Sequence, residues 1–249
     1  VDLTQLKDVL QQMDCAAFYG IPFHQNPTGI NYTEDNRQDV EKLCKEYGLL
    51  CVWDICYQDL RYDGKINESI PVSEWGPILT SSFTKTISPG TKCGYMIVPD
   101  HYVKHLTNII ANTRINPNLP TQAFVTDFLE SGKYDDYLKF LCQLYQPKMD
   151  VLNKTMMTHF PGMLPTEISG GFFAPLTLGN ISADKESAYI DSAKNVGVGI
   201  APAWGAVAPN CMEKMRQKGL FIRLTFPAFK SNDIEWGISK LKETVEMVG

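Results

Sequence analysis

Residues 16–54 read AAFYGIPFHQNPTGINYTEDNRQDVEKLCKEYGLLCVWD, and this stretch decides the fold class. Residues 16–21 form a short apolar run, which predicts a buried strand. Residues 49–53 are continuously apolar, which is typical of a strand covered on both faces. Between the two runs, Thr33 can cap a helix that ends at Gly48. The order strand, helix, strand predicts an α/β layer with a largely parallel sheet.

The same alternation continues on either side of this stretch. Apolar residues at helical spacing predict a helix over residues 1–13, and short apolar runs predict further buried strands at residues 78–83 and 93–98. From residue 100 the chain is mostly helical. Long helical patterns cover residues 102–113, 121–129 and 134–160.

The last hundred residues have a different organisation. Strands are predicted at residues 170–178 and 220–226, and helices at residues 185–195 and 233–247. We therefore predict a large α/β domain over residues 1–145 and a small α+β domain over residues 146–249. The long helix contains Pro147 and is expected to kink or restart there, because proline lacks a backbone donor and clashes with the preceding turn.

Composition narrows the class of protein. The 249 residues include 23 basic and 28 acidic ones, a net charge of -5, which gives no attraction for nucleic acid or an anionic membrane. No apolar run reaches the ~20 residues of a membrane span. The seven cysteines form no C-x-x-C pair. We expect a soluble cytoplasmic protein with reduced thiols and with no nucleic acid or membrane as partner.

Polar residues follow the predicted strands, at the edge where open α/β sheets bind ligands. Asp54 ends one strand, and a carboxylate at such a position needs a cation. Lys85 follows an apolar strand, where burial can keep an amine partly neutral and nucleophilic. Arg223 lies inside an apolar strand and is suited to bidentate capture of a carboxylate. Together they describe a ligand with a basic ring nitrogen, an aldehyde and a carboxylate.

Simpler interpretations exist for the same residues. Lys85 can be a surface lysine, Asp54 can cap a turn, and residues 26–29 (NPTG) form an ordinary turn sequence. His101 and His105 are four residues apart on a predicted helix, but no third ligand has suitable spacing. We therefore predict no metal site.

Five motifs in order extend across nearly the whole chain. They are Asn26-Pro27-Thr28-Gly29, D-x-x-Y from Asp54 to Tyr57, S-x-x-K from Ser82 to Lys85, a basic residue (Lys92) before Gly94-Tyr95, and Arg223 in an I-R-L strand. With these motifs the sequence resembles the fold type I pyridoxal-phosphate enzymes, in particular the class I/II aminotransferases. The text around Lys85 is most similar to the branch that contains 2-aminoadipate and kynurenine aminotransferases and the aminotransferase-like domains of MocR regulators.

The resemblance implies a three-layer α/β transferase fold with a mostly parallel sheet in the large domain and a small C-terminal α+β domain. It implies pyridoxal 5'-phosphate as cofactor, an amino acid and a 2-oxo acid as substrates, and a homodimer. Lys85 would form the Schiff base and move the substrate's α-proton. Arg223 would bind the substrate's α-carboxylate.

The remaining roles that the resemblance implies concern the cofactor. Asp54 would pair with the pyridine nitrogen, Tyr57 and Asn26 would bind the phenolic oxygen, and Ser82 and Lys92 would contact the phosphate. The family usually has arginine where this chain has Lys92, which keeps the charge and loses the bidentate fork.

The family's N-terminal portion has no counterpart here, so the chain is expected to be the C-terminal part of the fold. Two alternatives to an aminotransferase stay open. One is a non-catalytic fragment or ligand-sensing, regulatory domain with the same architecture. The other is a different pyridoxal-phosphate reaction, such as that of a lyase or a decarboxylase.

Overall fold

A computed structural model describes residues 1–114 and 118–248 of the chain. These residues divide into two compact units. Unit 1 consists of Val1–Phe23, Asn31–Arg61 and Lys65–Leu141, and unit 2 consists of His24–Ile30, Tyr62–Gly64 and the chain from Cys142 onward. The domain boundary predicted between residues 145 and 146 stays a prediction.

Unit 1 contains a four-stranded sheet. Its strands are β1 (Ala17–Gly20), β2 (Leu50–Asp54), β3 (Ile78–Ser82) and β4 (Gly94–Ile97), and they lie side by side in chain order. The pairs β1–β2 and β2–β3 are parallel, and β3–β4 is antiparallel. Strands β1, β3 and β4 lie within the apolar runs that predicted them, β2 extends one residue beyond its run to Asp54, and the sheet is mostly parallel as expected.

Helices complete unit 1, with α5 continuing into unit 2. They are α1 (Leu3–Gln12), α2 (Glu34–Glu46), α3 (Asp100–Arg114), α4 (Leu119–Glu130) and α5 (Lys133–His159). Helix α2 begins after Thr33, whose hydroxyl accepts a hydrogen bond from the Asn36 N–H at 3.2 Å, as the predicted cap requires. Its Val40 and Cys44 pack with Trp53 of β2 in the core of unit 1.

The sequence predicted buried strands, and this expectation is wrong for β1, β2 and β4, whereas β3 begins with two consecutive buried residues, Ile78 and Leu79. Burial alternates along β2, where Cys51 and Trp53 are buried and Leu50 is exposed. All four residues of β4 are exposed, and Tyr19 of β1 exposes 60% of its surface. Successive side chains of a strand point to opposite faces, so a layer on one face buries only every second residue.

Unit 2 is built on the antiparallel pair of β5 (Phe173–Leu178) and β6 (Leu220–Thr225). Its other elements are α6 (Glu186–Asn195), α7 (Met212–Arg216), α8 (Ser231–Val248) and two short 3-10 turns, Trp204–Ala206 and Pro209–Cys211. Leu176, Ile222 and Leu241 are almost fully buried and belong to the apolar core of this unit.

Helix α5 is the longest described element, with 27 residues, and it continues through Pro147 without a restart, while the alternative that the sequence predicted, a kink at Pro147, stays a prediction. Met149 and Leu152, within the next turn and a half, are buried, and this packing offsets the one backbone hydrogen bond that proline removes. Among the described helices, none combines the length and the apolar character needed to cross a lipid bilayer.

Candidate active site

The carboxyl end of β2 carries Asp54, and both of its carboxylate oxygens are hydrogen-bonded. Oδ2 accepts from the hydroxyl of Tyr19 on the neighbouring strand β1 at 2.5 Å. Oδ1 accepts from the backbone N–H of Cys56 at 3.1 Å. Both donors are neutral, so the carboxylate is held in place while its negative charge is left for an external cation.

Lys85 lies in the turn after β3, and its ammonium group faces the buried ring of Tyr57. Lys85 Nζ is 5.8 Å from the ring centroid, a cation–π distance. Tyr57 is 3% exposed and lies three residues beyond Asp54. The structure therefore brings the D-x-x-Y turn and the lysine of the S-x-x-K motif together within unit 1.

The pKa of the Cys56 thiol is affected by the charges of both Asp54 and Lys85. Burial raises the pKa of Cys56 above its usual value, and the charge of Asp54 and a hydrogen bond to it raise it further. The charge of Lys85 acts on the same thiol in the opposite direction. Cys56 is thus a protonated thiol within reach of both the carboxylate and the ammonium group, and not an activated nucleophile.

Ser82 and Thr84 form a hydroxyl pair at the end of β3. Their oxygens are 2.7 Å apart, and the Thr84 N–H donates to Ser82 Oγ at 3.1 Å. Ser82 Oγ also lies 3.1 Å from the carbonyl oxygen of Cys93. Lys92 is exposed in the connection to β4, with a left-handed backbone at φ 47°. Two hydroxyls and an ammonium group therefore flank the β3–β4 connection.

Arg223 and Asn26 meet in unit 2. Arg223 Nη1 donates to Asn26 Oδ1 at 3.0 Å, and the guanidinium carbon lies 4.3 Å from the ring centroid of Phe173. Arg223 lies inside β6, the apolar strand that the sequence predicted, and its side chain is exposed. Side chains of β6 alternate between faces, so Leu220 and Ile222 enter the core, whereas Arg223 points to the other face.

The NPTG turn is fixed close to β5. The Gly29 N–H donates to the Gln25 carbonyl at 2.6 Å, and the Thr28 N–H donates to Gln25 Oε1 at 3.0 Å. Gly29 has φ 66°, and a Cβ there would lie 2.9 Å from the carbonyl oxygen of Phe173. Only glycine fits this close approach, which keeps Asn26 beside Arg223.

The predicted site residues thus fall into two groups, one in each unit. The first consists of Asp54, Tyr57, Ser82, Lys85 and Lys92 in unit 1, and the second of Asn26 and Arg223 in unit 2.

Three further side chains contact these groups and were not predicted as site residues: Tyr19, Thr84 and Phe173. The contact of Tyr19 follows from the strand register, which the sequence alone did not provide. Tyr19 pairs with Val52 in register, so Tyr19 and Asp54, two residues further along β2, lie on the same face of the sheet. The Phe173 contact depends on the pairing of β5 with β6, which no local pattern reveals.

Comparison with known proteins identifies the family. Residues 7–235 match the model of aminotransferase class I and II. The chain belongs to this family. Membership confirms the resemblance deduced from the motifs, and pyridoxal phosphate, the predicted cofactor, is the cofactor of the family.

Individual relatives agree with this assignment. The chain is 26% identical to aromatic-amino-acid aminotransferase 1 of Thermococcus litoralis, over 99% of this chain and 58% of the relative. It is 24% identical to the HTH-type transcriptional regulator YdfD of Bacillus subtilis, over 91% of this chain and 45% of the relative. The chain therefore spans about half to three fifths of the length of these curated relatives.

A solved structure confirms the fold class. The kynurenine aminotransferase of Pyrococcus horikoshii superimposes with a TM-score of 0.84 at 23% identity, over 99% of this chain and 61% of that protein. It was crystallised with PMP, a form of the cofactor. At this identity the match establishes the α/β transferase fold, of which the chain covers a part.

Proposed function

We propose that this chain carries the catalytic lysine of a pyridoxal-phosphate-dependent aminotransferase, which moves the amino group of an amino acid to a 2-oxo acid. The observation that carries the proposal is the position of Lys85 Nζ, 5.8 Å from the centroid of the Tyr57 ring, in the unit where Asp54 ends β2. The carboxylate thus ends one strand, the phenol lies in the turn that follows it, and the amine lies in the turn after the adjacent strand.

The donor set suits pyridoxal phosphate. The Asp54 carboxylate would bind the protonated ring nitrogen, and its two neutral donors leave it the charge to do so. Tyr57 would donate to the phenolic oxygen. Ser82 and Lys92 would contact the phosphate, with the Thr84 hydroxyl beside Ser82 as a further donor. When bound, the cofactor supplies an electron sink for a carbanion at the substrate's α-carbon.

Lys85 would have two tasks in the reaction. Its amine would bind the cofactor's aldehyde carbon in the resting enzyme and, when the substrate's amine replaces it, would carry the α-proton. The buried ring of Tyr57 limits where the ammonium group can move. A lysine held in this way can return to the same atom in each cycle.

Arg223 would bind the substrate's α-carboxylate. Its guanidinium carbon lies 4.3 Å from the Phe173 ring centroid and one of its nitrogens donates to Asn26, which leaves other N–H groups for a bidentate contact. Asn26 has its Oδ1 engaged by Arg223, so its amide N–H would be the group that reaches the cofactor's phenolic oxygen. Homodimer formation, which the family resemblance implies, and a cytoplasmic location, which the composition and cysteine usage favour, complete the proposal.

A second function is favoured by one of the relatives. The chain matches 45% of an HTH-type transcriptional regulator, so a ligand-sensing domain with this fold is a specific alternative. A sensor would bind the cofactor or an amino acid without turnover. The site residues present here serve binding equally well, so turnover separates the two functions.

The first experiment tests Lys85. The chain is mixed with pyridoxal phosphate and reduced with borohydride, and the labelled peptide is mapped. We expect label on Lys85, complete loss of that label in Lys85→Ala, and unchanged label in Lys104→Ala, an exposed lysine of the same unit. Label spread over many lysines in all three proteins would contradict the proposal.

The second experiment separates the reactions. A panel of amino acids is offered with a 2-oxo acid, and the new 2-oxo acid, ammonia and carbon dioxide are measured. Transamination releases the 2-oxo acid without ammonia, a lyase releases ammonia, and a decarboxylase releases carbon dioxide. A sensor gives Lys85-dependent binding and no product over many equivalents of substrate.

A further inference from the structure

Tyr19 of unit 1 donates a hydrogen bond to a residue of the proposed site, Asp54, and has no role of its own in the proposed reaction. It lies on β1, beside Val52 of β2, and its hydroxyl reaches across to Asp54 Oδ2 at 2.5 Å. Its ring is 60% exposed, so it adds little to the core of this unit. The contact of Tyr19 with Asp54 is therefore its main structural interaction.

The two hydrogen bonds to Asp54 fix the plane of its carboxylate. The Cys56 N–H holds Oδ1 from the turn that follows β2, and the Tyr19 hydroxyl holds Oδ2 from the adjacent strand. With only the first bond, the carboxylate could rotate about the bond to its Cβ. The second bond removes that freedom before any ligand arrives, which lowers the entropic cost of binding.

Tyr19 remains a donor over the working pH range. Partial burial of the phenol raises its pKa above the usual value, and the hydrogen bond to Asp54 and the negative charge of Asp54 raise it further. The hydroxyl therefore keeps its proton well above neutral pH. A proton on this oxygen is what the contact with a carboxylate requires.

We infer that Tyr19 is a positioning residue, which orients the Asp54 carboxylate toward the protonated ring nitrogen of a pyridine-type cofactor. This inference rests on the proposed function for the identity of the ligand. The bond between Tyr19 and Asp54 itself does not depend on a ligand, so it can be tested separately.

The first test uses the chain without cofactor. Tyrosine is labelled with ¹³C at Cζ, and the Tyr19 signal is assigned by its loss in Tyr19→Phe. We expect this signal to titrate above pH 10, the ordinary range of tyrosine. In Asp54→Asn the pKa of Tyr19 should fall and stay above the ordinary value, because burial persists. A Tyr19 signal that titrates near pH 10 in the unaltered chain would overturn the inference whatever the cofactor does.

The second test measures affinity for pyridoxal phosphate and for an analogue with C–H in place of the ring nitrogen. For Tyr19→Phe we expect a roughly 10- to 100-fold weaker Kd for pyridoxal phosphate, the effect of a lost hydrogen bond to a charged group. The same change should leave the Kd of the analogue unaltered. Tyr47→Phe removes a hydroxyl from an exposed tyrosine of the same unit and should alter neither Kd.

Other outcomes have distinct meanings. An equal loss for both ligands would show that the Tyr19 hydroxyl acts elsewhere than through Asp54, and no loss for either would show that it is dispensable; each overturns the inference. Failure of the unaltered chain to bind pyridoxal phosphate at Lys85 would remove the proposed function and this inference with it, whereas the cofactor-free titration would still report whether the bond exists. Thermal melting of each variant checks that the fold is intact.

Discussion

Strand β4 of unit 1 and strands β5 and β6 of unit 2 have similarly apolar sequences and opposite burial. Ala174, Leu176 and Leu178 of β5 are at most 2% exposed, whereas Tyr95, Met96 and Ile97 of β4 are each more than 40% exposed. Burial is decided by what packs on a strand, and composition alone does not determine it. The stability of unit 2 should therefore depend on its strands much more than that of unit 1 depends on β4.

The proposed site residues also differ in their surroundings between the two units. Asp54, Ser82 and Lys85 lie at or just after the ends of β2 and β3, in the unit whose sheet is partly exposed. In unit 2, Arg223 points away from a well-packed core. Polar groups for ligand binding need an open face, and a core on the opposite face gives the strand a fixed position.

The largest expected effect compares a core position of β5 with an exposed one of β4. Leu176→Ala removes a fully buried side chain and should lower the free energy of unfolding by about 3–5 kcal/mol. Ile97→Ala, at a position that is 44% exposed, should cost less than about 1 kcal/mol. Urea unfolding followed by far-UV circular dichroism measures both. Similar losses for the two variants would contradict the contrast in burial.

The sequence predicted the helices and strands well because their signals are local. Thr33 and Gly48 bound α2 as expected, and each apolar run contains its strand to within one residue, since β2 ends at Asp54. Burial of both faces could not be predicted, because it depends on a second layer that the strand's own residues do not encode. Leu50 and Tyr19 are examples: Leu50 is apolar and Tyr19 is aromatic, yet both side chains are exposed.

The proposed site was predictable only as a set of residues in chain order. Motif spacing identified Asp54 and Lys85 as candidates, but the partners that hold such groups come from other elements. Tyr19 reaches Asp54 across the β1–β2 register, and Phe173 reaches Arg223 across β5–β6. Such contacts follow from strand pairing, so they are visible only in the folded structure.

A smaller effect is expected at two glycines that precede strands. Gly48, before β2, and Gly219, before β6, both have positive φ, 70° and 108°. A Cβ at Gly219 would lie 2.1 Å from the carbonyl oxygen of Leu178, whereas nothing lies within 4 Å of a Cβ at Gly48. We expect Gly219→Ala to cost about 3 kcal/mol and Gly48→Ala about 1 kcal/mol in unfolding free energy. Equal costs would show that the turn before β6 can shift.

The smallest effect concerns pH, and its sign should differ between the units. Burial raises the pKa of Glu41 in unit 1 above 4.5, against the opposing hydrogen bond from Trp53 and the charge of Arg37. A hydrogen bond from Ser182 lowers the pKa of Asp184 in unit 2 below 3.8. The folded state thus holds the Glu41 proton more tightly than the unfolded state does, and the Asp184 proton less tightly.

The two carboxyl groups therefore act in different pH windows. The raised pKa of Glu41 makes the fold less stable as pH rises from 4.5 through that pKa, and Glu41→Gln should remove this slope and slightly raise stability at pH 7. Gln keeps the oxygen that accepts from Trp53 Nε1 at 2.8 Å.

The lowered pKa of Asp184 gives stability that is lost as pH falls below 3.8, and Asp184→Asn should remove that loss. Urea unfolding midpoints between pH 3 and 7 measure both effects. Each variant is compared with the unaltered chain at the same pH, because burial and the charge of Asp135 also raise the pKa of Asp59 and add their own pH dependence. If Glu41→Gln lowered stability at pH 7, its hydrogen bond to Trp53 would outweigh the cost of burying its charge.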